Sequence, residues 1–127
     1  MALRVMVVDD ELDTVAMLSA ILRDEGHEVL GLHRGYDVLP AVAAFDPDAI
    51  LLDLALADMD GYQVCRSIRE RHGDARPALI AISGRYTRGA DSVLSRMNGF
   101  DHHLVKPCDP QKVIELLGSL ALPAGAR

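Results

Sequence analysis

The chain has no excess of basic charge, no long hydrophobic run, no clustered cysteines and no low-complexity or linker segment. Each absence removes a class of function. Its 13 Lys and Arg against 19 Asp and Glu leave a formal net charge of −6, whereas a protein that coats nucleic-acid phosphates needs a basic face to release counterions. Direct nucleic-acid binding is therefore not expected. The apolar stretch over residues 1–8 contains Arg4 and stops at Asp9 and Asp10, too short for a signal-peptide core or a membrane span. The expectation is a cytoplasmic protein with no membrane contact. Cys65 and Cys108 lie far apart, without CxxC or Cys/His ligand spacing, which fits free thiols in a reducing compartment. Both are read as small core or half-buried side chains. No internal repeat is visible, and no helix-turn-helix, catalytic or RNA-binding segment is recognisable after residue 121. With 127 residues, 50% of them hydrophobic, the chain can close one core. The expected division is a single domain over residues 1–121 followed by a short tail, 122–127.

What is present is an alternation. Short apolar runs occupy residues 5–8, 49–52, 78–82 and, more weakly, 104–105. They are continuous rather than alternating, which suits strands buried on both faces of a parallel sheet. Residues 28–33 alternate weakly and read as an edge strand. Between these runs the apolar spacing is helical: Val15, Leu18 and Leu22; Val38, Leu39, Val42 and Phe45; Val64 and Ile68; Val93, Leu94 and Met97; Val113, Ile114, Leu116, Leu117 and Leu120. Gly26, Gly35, Asp46-Pro47, Gly73 and Gly99 fall at the joints, where left-handed or helix-ending conformations are needed. Pro40 lies inside the second helical pattern, so that helix must start at Asp37 or Val38 to keep the proline in the first turn. Strand then helix, five times over, predicts right-handed crossovers and an α/β fold: a doubly wound, five-stranded parallel sheet with helices on both faces.

In open parallel sheets, ligands bind at the carboxyl ends of the strands, near the point where the strand order reverses. Strand one ends in Asp9-Asp10, strand three in Asp53, strand four in Ser83 and strand five in Lys106. The carboxylates of Asp9 and Asp10 are hard oxygen ligands that suit a magnesium ion, and Asp53 can complete the shell. A carboxylate is also a competent nucleophile towards phosphorus once the phosphoryl oxygens are neutralised by a metal and a fixed cation. Lys106 supplies that cation, and Ser83 can donate its hydroxyl to a phosphoryl oxygen. Phosphoryl transfer depends largely on positioning and charge compensation, so these few groups suffice.

Taken together, Val7-Val8-Asp9-Asp10-Glu11, Leu51-Leu52-Asp53, Met59-Asp60-Gly61, Ile82-Ser83-Gly84 and Leu104-Val105-Lys106-Pro107 resemble the receiver domains of two-component response regulators. The resemblance runs from residue 5 to about residue 120, and the pieces are specific in this order at these strand ends. It implies the flavodoxin-like strand order 2-1-3-4-5 and a phosphorelay role, with Asp53 as the phosphoacceptor. It further implies Mg2+, or Mn2+ in its place, on Asp9, Asp10, Asp53 and the Ala55 backbone carbonyl, with Ser83 and Lys106 on the phosphate and a cis bond before Pro107. The implied partners are a sensor histidine kinase or a histidine phosphotransfer protein and a downstream protein, and the family also admits a homodimer. No enzymatic role is implied beyond assistance to the domain's own phosphorylation and dephosphorylation. Two positions depart from the family pattern. Ala57 stands where proline is usual, which predicts a more mobile loop after strand three. His103 takes the switch position three residues before Lys106, where tyrosine or phenylalanine is usual. The run over residues 100–107 is similar to receivers fused to, or partnered with, hybrid histidine kinases.

Two other chemistries could use residues at these strand ends. A haloacid-dehalogenase-type phosphohydrolase also forms an aspartyl-phosphate, but its Asp-x-Asp motif would fall where Asp9-Asp10-Glu11 stands, and 127 residues leave no room for a cap. A flavin-phosphate loop after strand one would need hydroxyls and amides, not acids. A receiver-like binding module that accepts no phosphate remains as the alternative. Asp58-Met59-Asp60-Gly61 lacks the distal ligands of a calcium loop, so Asp60 is read as a helix cap. His102 and His103 are adjacent on a strand and point to opposite faces, which excludes a shared ion. His27, His33 and His72 are read as solvated. Arg85, Tyr86 and Arg88 form either a partner-facing or a solvated loop.

Overall fold

The architecture comes from a computed structural model that describes residues 2–84 and 95–120. In chain order the elements are β1 (Arg4–Val8), α1 (Leu12–Asp24), β2 (Glu28–Leu32), a 3-10 turn (Gly35–Asp37), α2 (Val38–Phe45), β3 (Ala49–Asp53), α3 (Gly61–His72), β4 (Ala78–Ser83), β5 (His102–Val105) and α4 (Pro110–Leu120). All strand pairings are parallel, and the sheet runs β2-β1-β3-β4-β5. The doubly wound five-stranded sheet and its order are therefore those expected.

Why both faces are covered is visible within one strand. Val5 and Val7 of β1 belong to a core built with Val15, Leu18 and Leu22 of α1 and Val113 and Leu117 of α4. Met6 and Val8 turn the other way, into a second core with Val38 and Val42 of α2 and Val64 and Ile68 of α3. A period of two on the strand meets a period near 3.6 on each helix, so one continuous apolar run serves two layers. All five residues of β3 are buried, as its central place between β1 and β4 requires. Removing a large side chain here, as in Leu51→Ala, would cost about 2–5 kcal/mol.

Some boundaries differ from the sequence reading. The last strand extends back through His102 and His103, because parallel pairing with Ile80 and Ala81 supplies backbone hydrogen bonds that apolar content does not reveal. α2 starts at Val38, with Pro40 in its first turn. Gly35 is not a left-handed joint. It is buried against Met59, so close that an added Cβ would lie 2.8 Å from the Met59 Cβ, and among the non-glycine joints Asp46 is left-handed, at φ 52°. His33 and His72 are exposed, but His27 is half-buried, and its Nδ1 accepts the Leu3 N–H at 3.0 Å. Cys65 is buried and Cys108 half-buried, both as free thiols. The helix expected around Val93 and Leu94, the loop residues Arg85, Tyr86 and Arg88, and the tail 122–127 lie outside the described residues. Among those described, no helix is long and apolar enough to cross a membrane.

Candidate functional site

The carboxyl ends of β1, β3, β4 and β5 meet at one edge. Asp9 directly follows β1, Asp53 ends β3, Ser83 ends β4 and Lys106 directly follows β5. Register holds them level: the Leu54 N–H donates to the Ile82 carbonyl and the Lys106 N–H to the Ser83 carbonyl, at 2.9 and 2.7 Å. Asp9, Asp53 and Ser83 are 1%, 3% and 1% exposed, whereas Asp10 is open to solvent.

Lys106 ties the cluster together. Its Nζ lies 2.8 Å from Asp9 Oδ2, 3.1 Å from Glu11 Oε1 and 3.4 Å from Asp53 Oδ2. Burial alone would lower the lysine pKa. The hydrogen bonds to Asp9 and Glu11 and the charges of Asp53 and Asp9 outweigh it and raise the pKa, so the side chain stays a cation. Burial dominates at Asp9 and pushes that carboxyl above its ordinary range, against the hydrogen bonds from Lys106 and the Glu11 N–H. Asp9 Oδ1 accepts the Glu11 N–H at 2.9 Å, and Asp53 Oδ1 accepts the Ala55 N–H at 3.0 Å. One oxygen of each buried acid is thus fixed by backbone, and the other is turned towards Lys106.

Those oxygens fit a hard divalent cation. Asp9, Asp10 and Asp53 can each offer one carboxylate oxygen, all within 4.8 Å of one another. Asp9 Oδ2 is buried and faces Lys106 Nζ at 2.8 Å. Three crowded carboxylates against one ammonium leave negative charge that an oxygen-loving cation would neutralise.

The surrounding loops explain how the site is built. Asp60 caps α3, its Oδ1 accepting the Tyr62 N–H at 2.9 Å. At Gly61 a Cβ would lie 2.6 Å from the Leu54 Cα and 2.8 Å from the Asp53 carbonyl oxygen, so only glycine lets α3 begin so close to the acceptor strand. Ala55 pairs with Asp60 across the loop. Ser83 Oγ and His103 Nε2 are hydrogen-bonded at 2.6 Å, with His103 half-buried. The Lys106–Pro107 bond is cis. Two contributors went unassigned in the sequence. Glu11 stood inside the quoted motif, and its reach to Lys106 spans 95 residues. Asp58 carries no signal in the sequence beyond its place in a polar loop, yet it accepts two backbone N–H groups from the turn before α2.

Comparison with known proteins follows the same outline. The "Response regulator receiver domain" family signature matches residues 5–118. The DNA-binding response regulator MtrA of Mycolicibacterium paratuberculosis is 34% identical over 111 residues, covering 87% of this chain and 48% of that protein. MtrA of Mycobacterium tuberculosis H37Rv is also 34% identical, over 87% of this chain and 47% of its own. The chain thus spans about half the length of the curated relatives it matches. Among solved structures, NtrX from Brucella abortus superposes with a TM-score of 0.85 at 27% identity, covering 94% of this chain and 27% of that one. A CheY-like receiver domain protein from Methanospirillum hungatei gives 0.84 at 24% identity over 94% and 93%, a likeness of fold.

Proposed function

Because the chain belongs to the response regulator receiver domain family, we propose that it accepts a phosphoryl group on Asp53 and uses that modification to change its partner interactions. The reading rests on one observation above all. Asp53 Oδ2 lies 3.4 Å from Lys106 Nζ, and oxygens of Asp9, Asp10 and Asp53 lie within 4.8 Å of one another. Asp9, Asp10, Asp53 and the Ala55 carbonyl would hold Mg2+ or Mn2+, which would supply charge neutralisation for phosphoryl oxygens. The donor is a sensor histidine kinase or a histidine phosphotransfer protein. As an Asp53 oxygen bonds to phosphorus, the phosphorus–nitrogen bond of the donor breaks and its electron pair leaves with the imidazole. Lys106 compensates charge on the phosphoryl group, and Ser83 donates its hydroxyl to a phosphoryl oxygen. His103, bonded to Ser83, carries the switch.

The kinase-side partner docks beside the acceptor. α1 leaves Met17 45% exposed, on the wall of a groove of about 470 Å³ that Thr14, Lys106 and Pro107 also line. An amphipathic helix can lay an apolar face there and bring its histidine to Asp53. A downstream protein reads the modified state, and a homodimer is the other assembly this reading admits. The working compartment is the cytoplasm, the functional unit is residues 1–121, and no direct nucleic-acid contact and no activity on other substrates are assigned to it.

The test is intact mass after treatment with acetyl phosphate and Mg2+. The wild type should gain one phosphoryl group, EDTA should prevent it, and Asp53→Asn should gain none. A wild type without mass gain supports the rival reading of a non-phosphorylated binding module, and equal gain by Asp53→Asn moves the acceptor elsewhere.

A further inference from the structure

We propose that Asp58 is a positioning residue for this site, its carboxylate clamping the loop between β3 and α3 to the turn before α2. Asp58 Oδ1 accepts the Gly35 N–H at 2.9 Å and Oδ2 accepts the Tyr36 N–H at 3.1 Å, across 23 and 22 residues of sequence. Both donors open the 3-10 turn Gly35–Asp37, where the first N–H groups have no partner within the turn. Both bonds are charge-assisted and so stronger than neutral ones. The Gly35 N–H, with help from the Tyr36 N–H and the nearby Arg34, holds the Asp58 carboxyl below the ordinary carboxylate range. Met59 adds apolar contact by packing over Gly35.

The clamp acts on the part of the loop that other contacts leave to it. Asp53 Oδ1 holds the Ala55 N–H, Leu54 accepts the Gly61 N–H, and Asp60 caps α3, so both ends of the loop are pinned. Leu56 reaches into the core. Ala57, exposed at the turn, has none of the ring constraint by which proline would fix φ. The Asp58 contacts therefore set a backbone that the local sequence leaves free. Ala55 lies three residues away, and a carbonyl already in place spares the ordering cost of binding. The clamp's effect falls on cation affinity rather than on the transfer step.

This inference rests on the receiver reading, and its test separates the two. Mg2+ affinity is measured by calorimetry, and the Mg2+ dependence of phosphorylation by acetyl phosphate is followed by intact mass. The proteins are wild type, Asp58→Ala, Asp58→Asn and Asp37→Ala. Asp58→Ala should raise the half-saturating Mg2+ concentration about 3- to 10-fold, the scale of one or two lost hydrogen bonds, with the rate at saturating Mg2+ unchanged. Asp58→Asn, which keeps one acceptor oxygen, should fall between. Asp37→Ala, on the same turn but paired with Arg34 instead, should match wild type. In amide spectra, Mg2+ should shift the Gly35 and Tyr36 signals of wild type and leave them in place in Asp58→Ala. Wild-type Mg2+ dependence and an intact amide response in Asp58→Ala would overturn the clamp. A wild type that neither binds Mg2+ nor gains a phosphoryl group would overturn the receiver reading, and the clamp with it.

Discussion

Ser83 Oγ and His103 Nε2, 2.6 Å apart, compete with any other demand on that hydroxyl. A serine hydroxyl has one hydrogen to donate and lone pairs to accept with, so once Ser83 donates to a phosphoryl oxygen its bond to His103 requires the imidazole Nε2–H as donor. Phosphorylation of Asp53 should therefore move the His103 ring-nitrogen resonances in histidine-selective spectra, and Ser83→Ala should abolish the movement. Resonances indifferent to phosphorylation would remove His103 from the switch. Single residues differed in how far the sequence exposed them. Asp9, Asp53, Ser83 and Lys106 could be found because each sits where an apolar run stops, and strand ends are where open sheets bind ligands. The hydrogen bond between Ser83 and His103 and the grip of Asp58 on Gly35 join side chains to partners 20 and 23 residues away. No periodicity encodes such pairings.

At the scale of elements, β1 and β2 are held at their entrance by His27, whose Nδ1 accepts the Leu3 N–H. Burial lowers the His27 pKa, outweighing the opposite pull of Glu25, so the folded chain favours the neutral ring that can accept this bond. The unfolded chain takes up a proton first as pH falls. The contribution is then complete above the unfolded value of about 6.5 and is lost as pH falls through the lowered folded value. Thermal melts between about pH 7 and about pH 5 should show wild type losing more stability than His27→Gln, whose amide oxygen accepts the same bond without titrating. Equal pH slopes would show that the ring is not part of the linkage. From the sequence His27 is expected in solvent, since a histidine just before an edge strand gives no sign of its burial. Elements with apolar periodicity were legible, whereas the start of β5 at His102 was not, because polar residues there are held by backbone pairing with β4.

At the scale of the molecule, the acidic cluster exists only when β1 and β3 are assembled, since its residues span 9 to 53, and its ammonium, Lys106, arrives with β5. A cation bound there stabilises the fold by mass action, by about 2.7 kcal/mol at a Mg2+ concentration about 100 times its dissociation constant. The melting temperature of wild type should rise accordingly, and that of Asp10→Ala should respond weakly. An equal rise in both proteins would count against the cluster as the binding site. The global plan was the most legible level of all. Continuous apolar runs alternating with helical spacing admit few topologies once crossovers must be right-handed.

Lys106 and Asp53 sit on strands of unequal security. β3 is buried at every position, while β5 is four residues long, pairs with β4, and has no buried position. Local opening in proteins begins where buried contacts are fewest, so the edge strand should fray long before the acceptor strand does. Fraying of β5 withdraws the ammonium from Asp9 and Asp53 while both carboxylates stay fixed in the interior. Opening of β5 is thereby coupled to the loss of charge compensation at two buried acids. The attraction of the ammonium to those acids works as a restoring force, a latch on the edge strand.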